Sequence, residues 1–292
     1  MKTVYFICTG NTCRSPMAEG LFRLYLHNMH MDFITVKSAG LAACCGDPPT
    51  ENAVKAAKAL GADISAHRAN TLTPYDFTDN TYFVCMTDSH ASALRAYVPA
   101  EQLMVLGVPD PFLGDESVYA ACARAIFEKM PSVFRFVFGI DAIVKMQKEQ
   151  VDGIVRIETA CFAHPWTEQG IREELENPTA RFFAAIKDGE VFGYIGANNI
   201  AGEVYITNIA VLPVYRKQGI GALLLSVLLS VSEQENAQFV SLEVREGNQA
   251  AISLYEKCGF AAVGKRKHFY RDPEEDALIY TKYFNQRNED TK

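Results

Sequence analysis

Nowhere in this 292-residue sequence does an apolar run approach the thickness of a bilayer. A spanning helix needs ~20 such residues, so no membrane segment is expected. Lysine and arginine are in excess in neither half, and the formal net charge is −7. A nucleic-acid binder needs a basic face, so direct nucleic-acid binding is not expected. The short run Lys265-Arg266-Lys267-His268 reads as a solvated strand or loop. Eight cysteines are present, at 8, 13, 44, 45, 85, 122, 161 and 258, but none forms C-x-x-C and no paired spacing suggests zinc, so no metal is expected. There is no internal repeat, no low-complexity tract and no Gly/Ser- or Pro-rich linker. The opening "MKTVYFIC" lacks a cleavable signal pattern. The expected location is the cytoplasm, where thiols stay reduced.

What is present is enough apolar material for two cores: 49% of residues are hydrophobic and 22% charged. In the first half, apolar runs ("TVYFIC", "FITVKSA", "YFVCMT", "LMVLG") alternate with helical patterns near 16–30, 51–60, 89–97 and 116–130. Strands alternating with helices predict an α/β fold with a parallel sheet. Pro131 ends or kinks that pattern, and "SVFRFVFGID" reads as an extension of the last helix. "AIVKM" then opens a second unit, which places the domains at 1–139 and 140–292. The second half reads as a mixed, antiparallel-rich sheet with helices, including a hairpin turn at Asp188-Gly189.

Two stretches carry chemistry. The first is "CTGNTCRSP", 8–16, where a strand ends, a short loop follows and a helix begins. Unpaired N–H groups at a helix N-terminus attract an anion, and a loop wrapped onto it adds donors. The same field favours a thiolate at Cys8. Arg14 can fork onto two phosphate oxygens. Gly10 permits tight curvature, and Asn11 tolerates left-handed geometry while its amide braces the loop. Thr9, Gly10, Asn11, Thr12, Cys13, Arg14 and Ser15 are the expected phosphate-binding residues. A lone cysteine is usually a small core residue; the strand–loop–helix context favours a nucleophile.

"CTGNTCRSPMAEG", with "SAG" at 38–40, "ISAHRA" at 64–69 and "PDPF" at 109–112, resembles the low-molecular-weight protein phosphatases over about residues 1–130. The resemblance implies a doubly wound parallel sheet, Cys8 as nucleophile, Arg14 as phosphate ligand and Ser15 as support for the thiolate. It also implies Asp110 as general acid and His67 as a brace for Asn11. The substrate is a phosphoprotein. Thr12 stands where phosphotyrosine-directed members carry a larger aliphatic residue, and the loop as a whole resembles bacterial protein-arginine phosphatases, so phosphoarginine is the expected substrate. The alternatives are phosphotyrosine, arsenate reduction by a related enzyme that needs further cysteines, and a non-catalytic domain regulating the second half. Cys13 shares the loop and could form a reversible disulfide with Cys8.

The second stretch is "RKQGIG", 216–221, between the strand "YITNIAVL" and the helix "ALLLSVLLS". Its glycines let backbone amides approach a pyrophosphate at a helix N-terminus. Residues 155–282 resemble the GNAT acetyltransferases, a mixed α/β fold, and among them the ribosomal-protein alanine N-acetyltransferases. The resemblance rests on "ACFAHPWTE", "NIAVLPVYRKQGIGALLL", "LEVREGNQAAISLYEKCGF" and "HFY". It implies acetyl-CoA as cofactor, held by Ile209, Ala210 and Val211, by Arg216, Lys217, Gln218, Gly219, Ile220 and Gly221, and by Asn248. It implies Glu243 as general base and Tyr255 as general acid, with Trp166 and Tyr270 lining a peptide slot. The expected acceptor is the N-terminus of a ribosomal protein beginning with alanine; another amine acceptor is the alternative. The chain is thus expected to be bifunctional, with two independent activities.

Overall fold

Six residues, Thr3–Cys8, form the first strand (β1), buried from Val4 onward on both faces. That burial belongs to a strand inside a parallel sheet covered by helices. The computed structural model describes residues 2–284, and the chain divides into two compact units, Met1–Asp141 and Ala142–Lys292. In the first unit β1 lies between β2 (Thr35–Gly40) and β3 (Thr81–Cys85), and β4 (Leu103–Val105) follows β3. All three pairings are parallel, in the order β2-β1-β3-β4.

The connections are α1 (Arg14–His27), α2 (Glu51–Ala59), α3 (Asp88–Leu94) and α4 (Glu116–Phe127), with α5 (Met130–Phe138) following. Thr50 caps α2 by accepting from the Ala53 N–H at 3.3 Å, and Asp115 caps α4 by accepting from the Val118 N–H at 3.1 Å. The segment read as an extension of α4 is a separate helix: Pro131 sits in its first turn, where the missing N–H costs nothing, so the proline opens α5. Met130, Val133, Phe134 and Val137 make its buried stripe.

The second unit is a seven-stranded sheet in the order β10-β11-β9-β8-β7-β6-β5. Its strands are β5 (Ala142–Lys145), β6 (Ala180–Lys187), β7 (Glu190–Ile200), β8 (Glu203–Val211), β9 (Phe239–Arg245), β10 (Ala261–Arg271) and β11 (Glu274–Tyr283). The helices are α6 (Val151–Cys161), α7 (Glu168–Glu176), α8 (Ile220–Gln234) and α9 (Gln249–Lys257). Every pairing is antiparallel except β8 with β9. Asp188-Gly189 makes the β6–β7 turn and Ala201-Gly202 the β7–β8 turn.

One irregularity of this sheet positions its site. β8 and β9 pair over three residues only, Glu203–Tyr205 against Phe239–Ser241, although β8 runs on to Val211 and β9 to Arg245. β8 stays paired with β7 along its other edge, with an irregularity at Thr207. A bulge adds local twist and bends a strand. The two parallel strands part there, and backbone groups of β8 beyond Tyr205 lose their partners on the β9 side. α8 packs Leu224, Leu225 and Leu228 into the core, each burial contributing roughly 1.5–3 kcal/mol, which anchors its N-terminus next to the end of β8.

Candidate active sites

In the first unit the loop between β1 and α1 wraps around the Cys8 thiol. The Ser15 hydroxyl lies 2.9 Å from Cys8 Sγ, and the Asn11 N–H donates to the sulfur at 3.2 Å. Cys8, Asn11, Arg14 and Ser15 are all buried. Asn11 is left-handed, with φ 55°, and its carboxamide makes the curvature hold. Nδ2 donates to Ser15 Oγ and to Ser38 Oγ, each at 2.9 Å, while Oδ1 accepts from the Asn70 N–H at 2.9 Å. His67 Nε2 sits 3.0 Å from the Asn11 carbonyl, so its brace is to the backbone. Ser38 in turn donates to Glu19 at 2.6 Å.

Gly40 explains the close approach of β2. A Cβ there would lie 2.5 Å from the Thr9 carbonyl, whereas hydrogen now suffices while Leu41 and Ala42 N–H donate to the Cys8 and Thr9 carbonyls. α1 starts at Arg14, two residues before Pro16, and no side chain caps its N-terminus. Thr9 and Gly10 lie on the more open side of the loop and Thr12 is half-buried. Cys13 Sγ contacts the Tyr119 hydroxyl at 3.3 Å. Asp110 accepts an ion-paired hydrogen bond from Arg14, whose other amino group reaches the Val108 carbonyl at 3.3 Å. A buried thiol with hydroxyl and amide partners, a guanidinium and a half-exposed carboxylate thus converge, a set with the chemistry to attack a phosphoryl centre and protonate what leaves.

A residue absent from the motif reading also touches this loop. His90, 5% exposed on α3, has Nε2 at 2.9 Å from Thr9 Oγ1 and Nδ1 at 2.7 Å from Thr87 Oγ1. Burial, and then the Arg14 charge, push its pKa below the usual imidazole value. The signal lay in helical spacing: His90 shares the buried stripe of α3 with Ala91 and Leu94.

In the second unit the cleft opens where β8 and β9 part. Ile209, Ala210 and Val211 lie on the unpaired edge of β8, and the segment 216–221 runs from its end into α8. Gly219 is the N-cap of α8 at φ 83°, and a Cβ there would meet nothing within 4 Å, so the backbone stands open at a helix N-terminus that no side chain caps. Lys217 is also left-handed, with φ 60°. This cradle and the open strand edge fit a pyrophosphate followed by an amide-bearing arm. Arg216 turns back, its Nε donating to the Val211 carbonyl at 2.8 Å. Asn248 caps α9, its Oδ1 accepting from the Ala251 N–H at 3.2 Å.

Glu243 lies on β9 and pairs with Arg266 of β10. The Tyr270 hydroxyl reaches the Glu243 carbonyl at 3.4 Å, and its ring stacks under Arg245 at 4.1 Å. Tyr255, on α9, is buried, and burial followed by the neighbouring Tyr270 holds its hydroxyl protonated. Trp166 is half-buried, its ring 6.2 Å from Phe182. Sequence reading missed Glu158, which is fully buried on α6; its signal was an acidic residue on the same stripe as Ile154 and Ile157. Among the described residues no His/Cys/Asp/Glu cluster could hold a metal, and no helix is long and apolar enough to cross a membrane.

A thiol cradle beside an arginine and an aspartate defines a cysteine-dependent phosphatase unit, and a parted strand pair ending in a glycine loop defines an acyl-CoA-dependent transferase unit. The chain belongs to both corresponding families: residues 3–151 match the low molecular weight phosphotyrosine protein phosphatases and residues 151–260 the GNAT acetyltransferases. Both are enzyme families, and the second takes its acetyl group from acetyl-CoA. The chain is 40% identical over 139 residues, 47% of its length, to a Bacillus subtilis protein named putative ribosomal protein bS18-alanine N-acetyltransferase, covering 92% of that protein. It is 30% identical over 155 residues, 44% of its length, to the low molecular weight phosphotyrosine protein phosphatase of Sus scrofa, covering 96% of it. The crystal structure of the Escherichia coli ribosomal-protein-S18-alanine N-acetyltransferase matches 52% of this chain and 98% of its own, with 29% identity and a TM-score of 0.49.

Proposed function

We propose that the first unit hydrolyses phosphoarginine in proteins and that the second acetylates the N-terminal alanine of a ribosomal protein. The observation that supports the first half is the cradle around Cys8, with Asn11 and Ser15 on the sulfur, together with Thr12 at the loop position where the phosphotyrosine-directed members it resembles carry a larger aliphatic residue. Cys8 sulfur attacks phosphorus while Arg14 and the loop amides hold the phosphoryl oxygens. The phosphorus–nitrogen bond breaks, and the leaving guanidine nitrogen takes the Asp110 proton. Water then attacks the cysteinyl-phosphate, gives a proton to Asp110 and releases phosphate with the Cys8 thiolate restored. In the resting site Arg14 is shared between the Asp110 carboxylate and the Val108 carbonyl; an arriving phosphate competes for the guanidinium and frees Asp110, which takes up a proton from solvent before it serves the leaving group.

The second half is supported by the 40% identity to the Bacillus subtilis relative over nearly all of that protein's length. Acetyl-CoA supplies an activated thioester when bound; Ile209 to Val211 and the amides of 216–221 would hold it. Glu243 takes the proton of the acceptor amine, for which its carboxylate must leave Arg266 or act through a water. Tyr255 keeps a proton at its hydroxyl until a leaving group needs it. The test offers purified protein peptides bearing phosphoarginine or phosphotyrosine, and, with acetyl-CoA, peptides differing only in the first residue. Preference for phosphoarginine and for alanine is expected; preference for phosphotyrosine, or acetylation of lysine side chains instead, refutes the corresponding half.

A further inference from the structure

Glu158 is an acidic side chain with 0% exposure, and among the described residues its side-chain partners are Trp166, Tyr194 and Asn208, none of them a cation. Taking a charge out of water costs several kcal/mol unless it is well compensated, roughly as measured for buried ions. Here the compensation comes from donors on separate elements. The Trp166 backbone N–H, in the connection between α6 and α7, donates to Oε2 at 2.7 Å. The Asn208 carboxamide, on β8, donates to Oε1 at 2.8 Å. The Tyr194 hydroxyl, on β7, also donates to Oε1. Burial and then Glu158 itself raise the Tyr194 pKa, so that hydroxyl stays a donor.

The placement of those donors matters more than their number. Asn208 lies on β8 beyond its last pairing with β9, beside the irregularity at Thr207 and next to Ile209. It therefore stands on the open stretch of strand. Trp166 begins the approach to α7, and its ring rests against Phe182. Glu158 ties the α6–α7 connection to the open edge of β8, on the α6 face of the sheet.

We propose that Glu158 is a positioning residue for the acetyl acceptor. By fixing Trp166 and Asn208 it shapes the wall against which a peptide N-terminus is held for transfer. The inference rests on the acetyltransferase reading above. It explains why a costly buried charge is present: a carboxylate accepts at both oxygens, and a neutral isostere does not. Glutamine could keep the two bonds at one oxygen, but its NH2 would then face the Trp166 N–H, donor against donor.

The experiment compares wild type with Glu158→Gln and Asn208→Ala in the full chain. Acceptor peptide and acetyl-CoA are titrated separately, and amide hydrogen exchange is followed at Trp166. The peptide is whichever one the wild type acetylates from a panel differing in the first residue. Glu158→Gln is expected to raise KM for the peptide on the order of tenfold, with kcat and KM for acetyl-CoA within about twofold, and to speed exchange at Trp166 by a similar factor. Asn208→Ala, which adds no donor conflict, is expected to raise the peptide KM alone and supplies the answer if Glu158→Gln does not fold. An unchanged peptide KM, both KM values rising together, or unchanged exchange at Trp166 overturns the inference. A wild type indifferent to alanine refutes the acceptor reading instead, a result visible without any variant.

Discussion

Arg14, with a side chain 5% exposed, donates to Asp110, whose carboxylate is 50% exposed. The buried partner is fixed by α1 and the cradle; the open one sits on a turn where its Oδ1 also accepts from the Phe112 N–H at 3.2 Å. The pair therefore joins a buried guanidinium to a carboxylate at the solvent edge, the two groups to which the proposed mechanism gives the phosphate and the proton.

Asp110→Asn removes the proton and keeps the shape. A loss in kcat of roughly 10²–10⁴ is expected for substrates with basic leaving groups, and a smaller loss for aryl phosphates whose leaving oxygen needs no proton. The check is kcat against leaving-group pKa for both proteins. Parallel lines, with no steeper dependence in the variant, would remove Asp110 from the acid role.

Thiol reactivity should distinguish Cys8 from the rest of the cysteines. Burial pushes the Cys85 thiol up to about 12, and pushes Cys122 up to about 11 against a partial offset from Arg14. Both should resist alkylation at neutral pH. Cys44 and Cys45 are exposed and should label whether or not an oxyanion is present. Cys8 labelling alone should be blocked by vanadate, read by peptide mass spectrometry; vanadate protection spread evenly over the exposed thiols would contradict the cradle.

His90 should give the first unit an acid-side weakness. Its folded pKa lies below that of the unfolded chain, so between the two values the unfolded state binds more protons. Stability then rises with pH across that window, and the penalty grows as pH falls from about 6.5, the unperturbed histidine value, through the lowered one. Melting of the first unit should drop between pH 7 and pH 5 by less in His90→Asn than in wild type. An identical pH dependence in the two proteins would mean that His90 does not titrate in this range.

Much of this was legible in residue order because the chemistry is local. Cys8 to Ser15 are contiguous, and so are Arg216 to Gly221, and the elements that place them follow from apolar runs, caps and turns. What escaped is non-local. His90 reaches Thr9 across 81 positions, and Glu158 reaches Asn208 across 50, so each looks like an odd polar residue on an apolar stripe until the sheet brings its partner alongside. Pro131 misled for a different reason: a proline ends a helix or opens one depending on the turn it occupies.

Thr12 should govern which phosphoresidue fits. Thr12→Ile adds apolar bulk and removes a hydroxyl at the cradle, which is expected to lower kcat/KM for phosphoarginine by about tenfold or more while sparing phosphotyrosine. The measurement is the ratio of the two constants. If the ratio stays put, the side chain at 12 does not set specificity.

The roles proposed for the second unit can be tested separately, base apart from cofactor site. Glu243→Gln removes a proton acceptor, so acetyl transfer should fall on the order of 10²–10⁴-fold with acetyl-CoA binding nearly intact. Gly219→Glu acts differently. Its backbone is left-handed, which costs a non-glycine residue roughly 1–2 kcal/mol, and its carboxylate would project into the open space where a pyrophosphate would lie. Acetyl-CoA affinity should collapse in that variant while a cooperative melt persists. Calorimetric titration with acetyl-CoA reads binding, and transfer to an alanine-first peptide reads the chemistry. Neither change should alter Cys8-dependent phosphatase turnover, because each acts on a site built wholly from residues of the second unit. A folded Glu243→Gln protein that loses phosphatase turnover in step with acetyl transfer would show that the two activities are coupled.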